Sequence, residues 1–330
     1  MAGGTSNGEP VNSQGRDFGR FVVRAGLFLL VNLVLIGIAL WITNALGERT
    51  REGFSESWTG SVVLDTPVDD HVDVLILGPS HARAMAWGGN HEIVEAEFGA
   101  DVLNLGTAGA GPYVVDILLD YFYSRGNTAG TVVLFADPFP LFSVQFNENR
   151  PFMTDEPFDP EFLRVMLDNG VSNSKLLSYA QSKAWPAWWL IPQDFGKRTA
   201  TVDEIDPREH EAGLRRMYPE GVSSETFETY AAIFADIVDM AIEHGSQVVL
   251  VLPPTLYSEY PGDDLALGFY ADLAESESVT FVDLRDAATD PSQFIDLSHM
   301  NGDGVAALSS RLRPYVVSGD AAAQPEEPSS

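Results

Sequence analysis

The stretch VDVLILGPSH, residues 72–81, carries the first decision about the fold. Its apolar residues follow one another without polar alternation, which suits a strand covered on both faces, as in a parallel sheet. The Gly78-Pro79 pair then stops it as a turn. Four further runs of the same kind lie at 101–105, 131–136, 247–252 and 279–284. Helix-like stretches at 81–98, 112–124, 224–244, 262–275 and 303–317 separate or follow them. Within 224–244, Phe227, Ala231, Phe234 and Val238 recur at helical spacing. The alternation predicts a three-layer α/β/α domain over residues 71–317, with a doubly wound parallel sheet of the flavodoxin-like kind.

Residues 140–220 break this rhythm and are rich in Pro, Phe and Trp, including Ala184-Trp185-Pro186-Ala187-Trp188-Trp189. An insertion of that size beside strand ends shapes a binding site or lid, packs a subdomain core, or touches a bilayer face. Residues 1–20 and the acidic tail 318–330 have the Gly, Ser, Pro and acid content of disordered ends.

Upstream of the α/β pattern, residues 25–45 read AGLFLLVNLVLIGIALWITNA, 21 positions without a charge. As a helix they span about 30 Å, the thickness of a bilayer hydrocarbon core. A transmembrane anchor is therefore expected over residues 21–46, followed by a polar linker at 47–70. Trp41 falls near one end, where an indole prefers the interface, and Asn32 is a polar group that a partner helix could satisfy. A cleaved signal peptide would have a shorter apolar region and a better cleavage site than Thr43-Asn44-Ala45. Arg16, Arg20 and Arg24 flank one side and Arg49 and Arg51 the other, which leans towards a cytoplasmic N-terminus with the α/β domain outside the cell membrane.

The 330 residues hold 48 acidic and 19 basic side chains, a formal charge of −29. Lys175, Lys183 and Lys197 are the only lysines. Residues 1–52 are slightly positive, so the soluble part carries the whole excess. Such a surface repels phosphate backbones and excludes a nucleic-acid binder. Its self-repulsion is relieved by salt, which predicts a salt-loving source. Cysteine is absent, so disulfides, thiolate metal sites and cysteine nucleophiles are excluded.

In doubly wound folds ligands sit at the carboxyl ends of the strands. There the sequence places Gly78-Pro79-Ser80-His81, then Asn104-Leu105-Gly106-Thr107-Ala108-Gly109-Ala110-Gly111, Ala136-Asp137-Pro138, Pro253-Pro254-Thr255 and Asp296-Leu297-Ser298-His299. This set resembles the SGNH (GDSL-like) hydrolase superfamily. More closely it is similar to the membrane-anchored branch that includes the teichoic acid D-alanylation and alginate O-acetylation proteins. The resemblance implies Ser80 as nucleophile, His299 as base and Asp296 as its partner. It also implies the backbone N–H groups of Ser80 and Gly109 as oxyanion donors, and Asn301-x-x-Gly304 fits the same branch. Pro79 stands where the family has an acidic residue. At the third block, where the family has an amide-bearing Asn, the sequence has Asp137, a poor donor because a carboxylate donates only when protonated. His81, Asn104 and Pro253 are further candidates to line the site.

The chemistry is consistent in its own terms. A serine hydroxyl needs a base to become a nucleophile, and a carboxylate three residues before a histidine can fix that base's tautomer. Each motif alone also has a plainer reading, Gly-x-Ser-His as a turn and Asp-x-x-His as a helix cap. A metal held by His81, Asp296 and His299 is the weaker use of those side chains. His71, His91, His210 and His244 have no partners at ligand spacing, and Gly106-x-x-Gly109-x-Gly111 is not a dinucleotide fingerprint. No cofactor is expected.

The expected function is a membrane-anchored extracytoplasmic serine esterase or O-acyltransferase. Its partners would be a cell-surface glycan or polymer, an acyl donor and, as the resemblance implies, a membrane-bound O-acyltransferase. The alternatives are a non-catalytic, membrane-tethered binding protein that keeps the fold, and a secreted lipase-like enzyme with the Trp-rich segment as lid.

Overall fold

The computed structural model describes residues 13–53, 60–148, 153–154, 156–183, 201–257 and 259–317. The Trp-rich run at 184–189, the tail from residue 318 and residues 1–12 lie outside these.

Five parallel strands form one sheet in the order β2-β1-β3-β4-β5, with β1 His71–Leu77, β2 Val102–Asn104, β3 Thr128–Phe135, β4 Gln247–Leu252 and β5 Val279–Asp283. This is the flavodoxin-like doubly wound order, whose crevice lies between the carboxyl ends of β1 and β3. The register pairs Leu77 with Leu134, Phe135 with Val251, and Leu252 with Asp283, so the strand ends line up along one edge. Successive strand residues enter opposite cores, which is why the runs lack polar alternation. Leu75, Leu77, Val132, Leu134 and Leu250 pack in one hydrophobic cluster with helices α5 (Pro112–Ser124) and α10 (Ser224–Glu243). Val74, Ile76, Val133, Phe135 and Val251 pack in the other with α4 (Asn90–Phe98) and α12 (Gly302–Val316). Helix α11 (Asp263–Leu273) sends Tyr270 into the first cluster.

The stretch 81–98 forms two helices rather than one. α3 spans Ser80–Ala84, and a short 3-10 turn separates it from α4. The cause is the Gly88-Gly89 pair, with φ of 58° and 87°, conformations that glycine adopts without strain and a helix cannot use. The insertion folds into short helices, α6 Val144–Asn147, α7 Pro160–Asp168, α8 Asn173–Lys183 and α9 Pro207–Met217. Phe162, Val165, Met166 and Tyr179 from this insertion are buried in the first cluster, so part of it contributes to the core.

Upstream, α1 (Ser13–Gly53) runs beyond both ends of the expected anchor and into the segments read as a disordered end and a linker. Its window Phe18–Ala39 is long and apolar enough to cross a membrane, and none of it is buried by the rest of the chain. Asn32 donates its amide to Phe28 O at 2.7 Å, so the helix's own backbone satisfies this group without a partner helix. The stretch expected as linker also contains α2 (Val62–Asp65), which is fastened to the α/β domain. Glu156, 5% exposed, accepts from Ser61 Oγ at 2.6 Å, Val62 N at 3.1 Å and Val63 N at 3.0 Å. Lys183 Nζ donates to the carbonyls of Met153 and Glu156. A buried carboxylate with its lone pairs engaged in this way makes a firm joint.

Candidate active site

Ser80 opens α3 directly after the turn that ends β1, half-buried at the carboxyl edge of the sheet. The turn needs Gly78: its φ is 142°, and a Cβ there would lie 2.7 Å from Phe135 Cβ on the neighbouring strand. Thr107 N donates to Gly78 O at 3.0 Å and joins the second glycine-rich loop to the first. Asn104 braces these loops through the backbone. Its amide donates to Ala82 O at 2.9 Å and its carbonyl accepts Gly106 N at 2.8 Å. Gly106 leaves room for that contact, since a Cβ there would meet Arg83 N at 2.5 Å. Gly109 is buried in the same loop with φ of 69°, and its N–H donates to nothing among the described residues. The N–H of Ser80, at the first helical position, has no acceptor within the helix either.

The segment after β5 forms a tight, tied loop. Phe294 and Met300 pair as an isolated antiparallel bridge, Ile295 N donates to His299 O at 2.9 Å, and Asn301 N donates to Gln293 O at 2.9 Å. Leu256 N, in the loop after β4, donates to Leu297 O at 2.8 Å and fixes the loop to the sheet edge. Asn301 caps α12 by accepting from Asp303 N and Gly304 N. Within this loop Asp296 receives Ser298 N at 2.8 Å, His299 N at 2.9 Å and His299 Nδ1 at 2.9 Å. Partial burial raises the Asp296 carboxyl, but these hydrogen bonds prevail and bring it down to about 2. The imidazole is thereby held with Nδ1 on the carboxylate and Nε2 turned away. Nε2 is buried and has no hydrogen-bond partner among the described residues. The Trp87 ring lies against His299, with centroids 5.3 Å apart.

A depressed carboxyl stabilises the fold above its unfolded value of about 4, and that stabilisation is lost as pH falls towards 2. Asp296 is half exposed, so the effect is small, roughly 0.5 kcal/mol. Thermal melts of wild type and Asp296→Asn should differ at pH 6 and converge near pH 2; an unchanged difference would show that the pairing contributes nothing to stability.

His81 is the residue that the sequence undervalued. Its ring is 3% exposed, and Nδ1 lies 2.6 Å from Asp137 Oδ1, a charge-assisted distance. Asp137 also accepts Tyr270 OH at its backbone carbonyl, 3.1 Å away. Burial alone would lower the His81 imidazole, but the Asp137 carboxylate, with Asp296 behind it, holds its proton more tightly than usual. Asp137 Oδ2 is buried without a partner among the described residues, and Asp137 lines a cavity of about 20 Å³, room for one water molecule. Asp137 Oδ1 is thereby engaged with His81 Nδ1. The His81 and His299 rings meet edge to face with centroids 5.4 Å apart.

The structure thus gathers Ser80, His81, Asp137, Asp296 and His299 at the crevice between β1 and β3. It does not draw a hydrogen bond from Ser80 Oγ to His299 Nε2. Pro253 is buried at the end of β4, on the same edge, and offers no N–H. Among the described residues no group of three or more His, Asp or Glu side chains is arranged to hold a metal ion.

No protein-family model matches the chain, and no curated protein does. Among solved structures, a proposed arylesterase of Agrobacterium tumefaciens str. C58 aligns over 74% of this chain and 97% of its own, with 14% identity and a TM-score of 0.38.

Proposed function

We propose that the protein is a membrane-anchored, extracytoplasmic serine esterase or O-acyltransferase that acts on acyl groups of a cell-surface carbohydrate or polymer through Ser80, His299 and Asp296. One observation carries the reading. A histidine oriented by a carboxylate presents an unpaired, buried nitrogen at the sheet edge where a serine opens a helix next to two unengaged backbone N–H groups. Apo sites often hold such hydrogen bonds open until substrate arrives.

In this mechanism Ser80 Oγ attacks the acyl carbonyl carbon while its proton passes to His299 Nε2. The carbonyl oxygen becomes an oxyanion, received by the N–H groups of Ser80 and Gly109. As the carbonyl re-forms, the bond to the leaving alcohol oxygen breaks and that oxygen takes the proton from His299. A water or a sugar hydroxyl then repeats the sequence on the acyl-serine, with His299 as base and then acid. Asp296 keeps the imidazole in the required tautomer and stabilises the imidazolium between the two transfers. The anchor would be α1, with the acyl donor reaching the site from a membrane-bound O-acyltransferase. The acidic surface fits a protein working in brine.

A fluorophosphonate probe should label the wild-type protein at Ser80 and leave Ser80→Ala unlabelled. Equal labelling of both would refute the serine chemistry. No labelling of either would favour the second reading, a tethered binding protein, to which the unformed Ser80–His299 bond and the carboxylate at Asp137 would then belong.

A further inference from the structure

We propose that His81 is a catalytic residue, whose Nε2–H donates to the acyl carbonyl oxygen as it becomes an oxyanion. The proposal rests on the serine acyl-transfer reading above. Three observations support it. His81 follows Ser80 directly at the start of α3, so its ring belongs to the same turn as the nucleophile. Its Nδ1 is committed to Asp137 at 2.6 Å, which leaves Nε2, on the opposite side of the ring, as its remaining polar atom. The ring is fixed against movement, edge to face with Phe139 at 6.1 Å and with His299 at 5.4 Å.

Asp137 is then a positioning residue. It cannot donate to an oxyanion, but it secures a neighbour that can. A carboxylate buried to 1% side-chain exposure needs a cation or donor facing it, and His81 is the group that faces it. With Nδ1–H donated to Asp137 and the proton retained on Nε2, the imidazolium offers a charge-assisted donor, stronger than an amide. No proton leaves His81 during the reaction; its hydrogen bond to the oxygen strengthens as negative charge develops and weakens when the carbonyl returns. The charged or titratable groups facing His81 are Asp137 from the end of β3, and Asp296 and His299 from the loop before α12. Two of these are carboxylates, so the site favours the protonated imidazole.

The test uses the purified full-length protein with p-nitrophenyl acetate as probe ester, Ser80→Ala being the reference for lost chemistry. His81→Leu should lower kcat roughly 10²–10³-fold with little change in KM, the cost of one oxyanion donor. His81→Gln, whose amide can donate, should recover at least tenfold over the Leu variant. Wild-type kcat should fall at alkaline pH as His81 deprotonates. Asp137→Asn should move that limb to lower pH, and His81→Gln should lack it. Wild-type kcat in His81→Leu, with Ser80→Ala inactive, would overturn the role of His81 and leave the serine reading standing. An alkaline limb unmoved in Asp137→Asn would do the same. Full activity in Ser80→Ala would overturn both. Should His81→Leu fail to give a native circular dichroism spectrum, the Gln variant and the Asp137→Asn profile decide.

Discussion

If the proposed triad operates, replacing Asp296 by asparagine should lower ester turnover by the full-length protein roughly 10⁴-fold while the protein stays folded. The fold survives because an asparagine oxygen can still accept the N–H groups of Ser298 and His299, which tie the loop. Turnover should fail because the introduced amide would donate to His299 Nδ1 where the carboxylate accepted. The ring's proton then sits on Nε2, and that nitrogen can no longer take the proton of Ser80. Asp290→Asn is the control. Asp290 caps the short turn at Pro291–Gln293 with an exposed carboxylate and should leave kcat unchanged. A loss of less than tenfold in Asp296→Asn would remove His299 from the role of general base.

The largest effect on stability is expected at Phe294. This ring is fully buried in the second core cluster and pairs through its backbone with Met300 across the loop that carries Asp296 and His299. Truncation to alanine leaves a cavity beneath that loop and costs about 3–5 kcal/mol, which lowers the melting temperature by roughly 10 °C in a domain of this size. Because Phe294 closes the loop that carries His299, turnover should fall further than the folded fraction does. Leu167→Ala, at an exposed position on α7, should leave melting unchanged. Melting curves of the two variants side by side test this, and equal shifts would refute it.

Most of the fold was legible because parallel strands covered on both faces leave continuous apolar runs, and each such run proved to be a strand. Two features were hidden by physics that a one-dimensional pattern does not carry. Gly88 and Gly89 break the first helical stretch through positive φ, whereas hydrophobic periodicity continues across them. The helices of the insertion are four to eleven residues long and contribute only part of a shared core, so each is too short a run to stand out beside the long helices of the α/β pattern. At the site, Asp296 and His299 could be paired by spacing because they are neighbours in the chain. His81 and Asp137 could not, being 56 residues apart. A signal for them did exist: they stand at the ends of β1 and β3, and the 2-1-3 strand order makes those ends adjacent. The hydrogen bonds of Asn104 were not legible either, since a polar residue at a strand end can serve the backbone behind a site as readily as a ligand before it.

The joint at Glu156 sets how far the site can stray. Between the last residue of α1 and Gly60, whose N–H already bonds to the buried Asp65, lie the six residues 54–59. Even fully extended, six residues reach about 20 Å. With the Phe18–Ala39 window of α1 in a bilayer, the rest of the helix and this tether keep the domain in a layer within a few tens of ångströms of the membrane, and a tether that short gives effective concentrations in the millimolar range towards anything held on the same surface. Substrate capture would then be governed by lateral encounter within that layer. An intrinsically weak affinity for a single glycan or acyl carrier would be enough, and detaching the domain from its helix should slow its action on membrane-bound substrate far more than on a free ester.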